Sequence, residues 1–237
     1  MIIPRAGPRP SRTGQESDAG LDRLWVRSVS MDSSGLYRDI TDSARSAPGW
    51  VQSAFEVWTE YGLLLFGLLF IAVWWRARTQ AAPRAVALAV AAPLATALAY
   101  ASSELVKSAV DEERPCRAVA GAAASLVACP APGDWSFPSN HSAIAGAAAV
   151  ALVLAVRRVG RLALLAVPLA VLMAFSRVFV GVHYPHDVLA GLLLGGALAA
   201  LAVPVLTGPI STITTAMRAS GGRAAVWFTG PGPARRP

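Results

Sequence analysis

The sequence predicts an all-α polytopic transmembrane bundle of about five spans, preceded by an N-terminal amphipathic helical segment. Three observations predict it. First, 54% of the 237 residues are hydrophobic and only 15% are charged, against about 25% charged in an ordinary soluble domain; the mean hydropathy is +0.49. Second, apolar runs long enough to cross a hydrocarbon core, about 20 residues each, recur from residue 58 to residue 206. Third, the basic residues behind the net charge of +7 gather at the ends of those runs instead of forming a soluble patch. That distribution argues for a membrane protein and against a nucleic-acid binder.

Residues 1–20 are rich in Pro, Gly, Ser and Arg without periodicity and are expected to be a disordered tail. No charged n-region leads directly into an apolar run and a small-residue cleavage site, so no cleaved signal peptide is expected. Residues 21–57 place apolar residues at spacings of three and four: Leu21, Leu24 and Trp25, then Leu36, Ile40 and Ala44, then Trp50, Val51, Phe55 and Trp58. The charges between Asp22 and Arg45 exclude a span and leave an interfacial or bundle-packed helix.

The transmembrane region is expected over 58–206. Its first span, 58–75, closes on Trp74, Trp75 and Arg76, an aromatic and basic anchor. The second, 84–103, reaches about 30 Å at 1.5 Å per residue, the thickness of the hydrocarbon core. The others are 139–156, 161–179, where Pro168 implies a tolerated kink, and 188–206. Small residues crowd the third span (Ala143, Ala145, Gly146) and the fifth (Gly191, Gly195, Gly196). Close helix packing and a general Ala/Gly richness explain them equally well. Residues 207–237 are expected to be a polar tail.

Charge sets the orientation. Arg76, Arg78 and Arg84 lie in one loop, Arg157, Arg158 and Arg161 in the next loop on that side, and Arg218, Arg223, Arg235 and Arg236 in the tail, whereas all 14 Asp and Glu fall on the other face. The positive-inside rule puts the N-terminus outside and the C-terminus in the cytoplasm.

Three polar clusters then share one face whichever way the bundle is inserted, the outer face in this orientation: Lys107 to Pro115, Pro138-Ser139-Asn140-His141, and Ser176 to Asp187. Lys107, Arg114 and Arg177 supply cations, two of them guanidinium forks suited to oxyanions. Ser139 and Asn140 stand where a helix begins, with N–H groups able to bind phosphate. His183 can attack phosphorus, its tautomer held by Asp187, and His141 can protonate the leaving oxygen and later take a proton from water. This set needs no metal and no cofactor. His186 fits no part of it and is assigned a local structural role. Glu104, Asp111, Glu112 and Glu113 form an acidic rim, read as solvated charge.

The three clusters, Lys107-x6-Arg114-Pro115, Pro138-Ser139-Asn140-His141 and Ser176-Arg177-x5-His183-x3-Asp187, resemble the signature of the type 2 phosphatidic acid phosphatase (PAP2) superfamily of membrane lipid phosphatases over about residues 60–206. The resemblance implies that His183 is the nucleophile forming a phosphohistidine, Asp187 its partner and His141 the general acid, with Lys107, Arg114, Ser139 and Arg177 as phosphate ligands. It also implies metal-free catalysis on the extracytoplasmic side. Two departures stand out. Asn140 replaces the usual glycine, so its side chain either crowds the phosphate or adds an amide donor to it. Five spans are counted where six are common, which affects lateral access to the site more than chemistry.

The function expected is removal of a terminal phosphate from a lipid phosphate or pyrophosphate, with polyprenyl diphosphate favoured. Phosphatidylglycerol phosphate, phosphatidic acid and polyprenyl-phosphosugar phosphates are rivals. A phosphotransferase delivering the group to an acceptor hydroxyl is the alternative enzyme class, and a transporter or non-catalytic lipid-binding protein the alternative to an enzyme. A membrane lipid phosphate is the partner expected, and no nucleic acid. Cys116 and Cys129, the two cysteines, share the outer loop, where an oxidising exterior permits a disulfide.

Overall fold

A computed structural model describes residues 32–159 and 161–232. The tail expected over 1–20 and the start of the amphipathic segment, 21–31, lie outside the described residues, as do the last five positions. Among the described residues every element is helical: α1 (Ser34–Ser46), α2 (Gly49–Tyr61), α3 (Leu63–Ala77), α4 (Pro83–Lys107), a short α5 (Pro115–Ala118), α6 (Asn140–Val159), a 3-10 turn (Arg161–Leu165), α7 (Ala166–Phe179), α8 (Pro185–Ser220) and α9 (Arg223–Thr229).

The core is the three-way packing of α4, α6 and α8. It is lined almost wholly by small side chains, with Ala91, Ala95, Ala99, Ala147, Ala151 and Ala199 all fully buried. Such residues let backbones approach until dispersion contacts form along the whole helix. At Gly195 a Cβ would lie 2.0 Å from the Ala143 carbonyl oxygen, and at Gly191 2.4 Å from that of Ser139. The crowding of glycines in α8 is therefore a packing requirement, not a composition bias.

The outward surface is apolar too. Leu64, Leu68, Ile71 and Trp75 form an exposed stripe along α3, and Leu193, Leu201 and Val205 stand exposed on α8. A bundle with apolar residues on both faces suits a hydrocarbon solvent. By length and composition α4 and α8 can each cross a membrane, and α2 with α3, bent by 53° at Gly62, make a third candidate; Asn140–Ala155 and Ala163–Phe179 are shorter apolar helices.

Three expectations change. The first apolar run is split: residues 58–61 end α2, and α3 starts afresh at Leu63. The tail expected from residue 207 is instead helix as far as Ser220, followed by α9. Val203, Thr207, Ile210 and Thr214 form a continuous stripe on the bundle side, and the Thr207 and Thr214 hydroxyls bond to carbonyls one turn back, so hydroxyl-bearing residues that read as polar tail are buried at no hydrogen-bond loss. Helix α9 folds back on α3, where Trp74 donates to the Phe228 carbonyl and packs on Trp227, with the Arg78 guanidinium 4.5 Å from the Trp75 ring centroid.

The third change is in α1. Its buried stripe is Tyr37, Thr41 and Ala44, while Leu36 is exposed. Tyr37 displaces Leu36 because its hydroxyl finds an acceptor, the Gly181 carbonyl at 2.9 Å. Helix α1 thus packs on the turn that follows α7, and Arg45 donates to the carbonyls of Ala124 and Ser125.

Candidate active site

Four helix ends meet at one mouth of the bundle. Lys107 is the last residue of α4, His141 lies in the first turn of α6, Arg177 in the last turn of α7, and Asp187 in the first turn of α8. His183 sits in the turn between α7 and α8. Gly181 in that turn has φ +86°, a backbone conformation that side chains other than glycine's adopt only with strain, and this reversal aims His183 inward.

Asp187 has two tasks. Its Oδ2 accepts the Tyr184 N–H at 2.8 Å, capping α8, and lies 3.2 Å from His183 Nδ1. It also accepts from the Ser136 hydroxyl. On the far side of the ring, Arg114 Nη1 approaches His183 Nε2 at 3.0 Å. A guanidinium has donors only, so Nε2 must be the unprotonated nitrogen and Nδ1 carries the hydrogen given to Asp187. The tautomer needed for attack through Nε2 is therefore fixed from both sides. Burial holds the His183 ring below the usual imidazole value, at about 4: the neighbouring Arg177 and Arg114 charges push the same way and Asp187 opposes them. The ring is neutral at pH 7.

Arg114 is itself buried and uses donors on all three of its guanidinium nitrogens. Nε donates to the Asp134 carbonyl at 2.8 Å, Nη1 to the Val182 carbonyl at 3.1 Å, and Nη2 to the Asp134 carboxylate at 2.7 Å. Lys107 Nζ lies between two carboxylates, Asp134 at 3.5 Å and Glu104 at 3.6 Å. Arg177 differs. Nη1 donates to the Thr59 hydroxyl at 2.7 Å, no carboxylate of the described residues comes within ion-pair distance, and its buried Nε has no hydrogen-bond partner. A buried guanidinium with an unmatched donor is costly unless an anion completes it.

Lys107, Arg114, Asn140, His141, Arg177 and His183 line one cavity of about 400 Å³, together with Tyr100, Glu104, Asp134 and Ile144. That volume admits a phosphoryl group and its neighbouring atoms. Ser139 does not line it. Its N–H donates to the Asp187 carbonyl, its hydroxyl accepts from Ser142, and it is fully buried behind the site. The Asn140 amide is held by α4, its Oδ1 accepting from Ser103 and its Nδ2 donating to Glu104, so the side chain faces that carboxylate.

The acidic rim is not merely solvated. Glu104 pairs with Lys107, Glu113 with Arg117, and Glu112 with His186. His186 also stacks on Tyr184 and bonds the Ser33 hydroxyl at 2.8 Å. Glu112, His186 and Asp187 bring ligand atoms within 4.8 Å of one another; the single hydrogen on His186 Nε2 goes to Glu112 at 2.9 Å, and Asp187 Oδ1 lies 3.3 Å away without a hydrogen bond. Cys116 and Cys129 are joined in a disulfide, with Cα atoms 6.1 Å apart, inside the loop that carries Arg114 and Asp134. Sequence reasoning missed Ser136, Asp134, Thr59 and Tyr37 as supports of the site. Thr59 stands between Glu56 and Glu60, so nothing in its neighbourhood marked it.

Comparison with known proteins bears on the same residues. The family model described as PAP2 superfamily matches residues 86–208. The chain is 43% identical over 91 residues to an undecaprenyl-diphosphatase of Sulfolobus acidocaldarius, which is 38% of this chain and 43% of that protein. It is 31% identical over 139 residues to undecaprenyl-diphosphatase BcrC of Bacillus subtilis, 57% of this chain and 65% of that protein. Both matches thus span less than two thirds of the relative's length. The crystal structure of a transmembrane PAP2-type phosphatidylglycerolphosphate phosphatase of Bacillus subtilis is similar in fold, with a TM-score of 0.56 and 21% identity over 80% of this chain and 94% of that one.

Proposed function

The chain belongs to the PAP2 superfamily, and on that premise we propose that it is a membrane phosphatase removing the terminal phosphate of a lipid phosphate or pyrophosphate. One observation carries the reading: a neutral His183 whose Nδ1 faces Asp187 and whose Nε2 accepts from Arg114, in a cavity also lined by His141, Lys107 and Arg177. In the proposed reaction a phosphate oxygen takes over the Arg114 donor, Nε2 attacks phosphorus in line, and His141 protonates the departing oxygen. The phosphohistidine is then opened by water, which gives its proton to His141. Lys107, Arg114 and Arg177 stabilise the equatorial oxygens throughout. Because the nucleophile is a ring nitrogen and the counter-charge comes from side chains, the mechanism is metal-independent. Ser139 supports it by tying α6 to the Asp187 backbone.

We place five spans in the bilayer: α2–α3, α4, α6, the 3-10 turn with α7, and α8. The cavity is then on the extracytoplasmic face and the C-terminus in the cytoplasm, a sidedness supported by the Arg distribution. Polyprenyl diphosphate is the favoured substrate, supported by the two relatives named as undecaprenyl-diphosphatases.

The test is phosphate release from a panel of defined lipid phosphates by purified protein in detergent, with chelator present. Release should persist in chelator, fall by at least about a thousandfold in His183→Ala, and fall about 10²–10⁴-fold in His141→Ala. Loss of activity with chelator alone would overturn the metal-free step. Wild-type rates in His183→Ala would overturn the nucleophile. Phosphate arriving on an added alcohol instead of in water would make the enzyme a transferase.

A further inference from the structure

The cavity's cations are not waiting empty-handed. Of the three, Lys107 and Arg114 already share one carboxylate, Asp134 Oδ1, at 3.5 and 2.7 Å. That oxygen bridges an ammonium and a guanidinium inside the cavity, as one oxygen of a bound phosphate would. Building on the phosphatase reading, we propose that Asp134 is a specificity-determining residue, a resident anion that a lipid phosphate must displace from Lys107 and Arg114.

Three features fit that role. The Asp134 side chain is 49% exposed whereas that of Arg114 is 3% exposed, so the carboxylate can swing outward while the guanidinium stays. Arg114 would not lose its position, because Nε remains bonded to the Asp134 main-chain carbonyl and Nη1 to that of Val182. The pairing is also electrostatically real: partial burial opposes ionisation, but the Arg114 and Lys107 charges prevail and hold the carboxyl below its usual range.

The consequence is a threshold. Any phosphate must break the same two ion pairs, but only a lipid phosphate brings an apolar tail whose burial offsets that loss. Inorganic phosphate, the product, has no such help, so the carboxylate returns to the cations and speeds its departure. Water-soluble phosphate esters are held off for the same reason.

The experiment measures inhibition of lipid-phosphate turnover by inorganic phosphate, and calorimetric binding of inorganic phosphate to the same detergent-purified protein. Asp134→Asn keeps the main-chain carbonyl and removes the charge. It should bind inorganic phosphate about tenfold more tightly and lower the KM for lipid substrate, and Asp134→Glu should restore wild-type phosphate affinity. Asp134→Ser gives the same reading should the asparagine variant misfold. Unchanged or weaker phosphate binding would overturn the proposal, as would a fall in kcat joined to a rise in KM like that of an Arg114 variant. If the wild type releases no phosphate from any lipid, the phosphatase reading fails, and the calorimetric comparison still decides the role of Asp134.

Discussion

His183 is held neutral by a site that must also keep it oriented, and its pH behaviour should show both. Its folded-state value, about 4, lies below the usual 6.5 of an unfolded imidazole. Below that unfolded value the denatured chain binds a proton that the native ring does not. The stability from the neutral ring is therefore complete above about pH 6.5 and is eroded as the pH falls toward 4, by about 3 kcal/mol in all. Thermal unfolding between pH 4 and 7 should accordingly show a steeper acid decline in wild type than in His183→Gln. Asp187→Asn should lower kcat by about 10³–10⁴-fold, since an amide no longer selects the Nδ1–H tautomer; steady-state kinetics beside an unchanged circular dichroism spectrum checks this. His183, Asp187, Arg177 and His141 were legible in the sequence because each helix end carries its own short motif. Ser136 and Asp134 were not: their partners lie 51 and 20 positions away, and nothing local marks a loop serine as buried beside the His183 ring or a loop aspartate as paired with a guanidinium.

At the scale of elements, the site depends on how closely α8 lies on α6, since α6 carries His141 and α8 carries Asp187. Gly195→Ala would drive a methyl into the Ala143 carbonyl, which as backbone cannot step aside. It should lower stability by about 1–3 kcal/mol and cut activity by widening the gap between the two helix starts. Gly208→Ala, with nothing within 4 Å, is the control and should be near neutral; differential scanning fluorimetry and kinetics on both variants decide it. The apolar helices were readable from hydropathy, but their ends were not. At the Gly62 bend a Cβ would meet the Met173 side chain, and the run of α8 through Pro204 and Pro209 buries Thr207 and Thr214 against the bundle, tertiary effects that a window of sequence does not contain.

Across the whole molecule, the polar mouth is tied down from outside the bundle. Helix α1 holds the His183 turn through Tyr37, and the Cys116–Cys129 bond closes the loop between Arg114 and Asp134. Reduction, or Cys116→Ser, should cost about 3 kcal/mol in the chain-entropy account and weaken phosphate affinity, read as a lower unfolding midpoint and a higher KM in reductant. The cysteine pairing was open to a sequence argument, whereas the purpose of α1 was hidden because its key contact is to a backbone carbonyl, Gly181, 144 positions away. Helix α8 offers a different use. Its 36 residues extend about 54 Å, against about 30 Å of hydrocarbon, so in a bilayer it projects well clear of the lipid opposite the polar mouth. With both native thiols oxidised, a cysteine introduced at Ser220 gives an impermeant maleimide a single attachment point, and the compartment from which it reacts reports the sidedness of the protein.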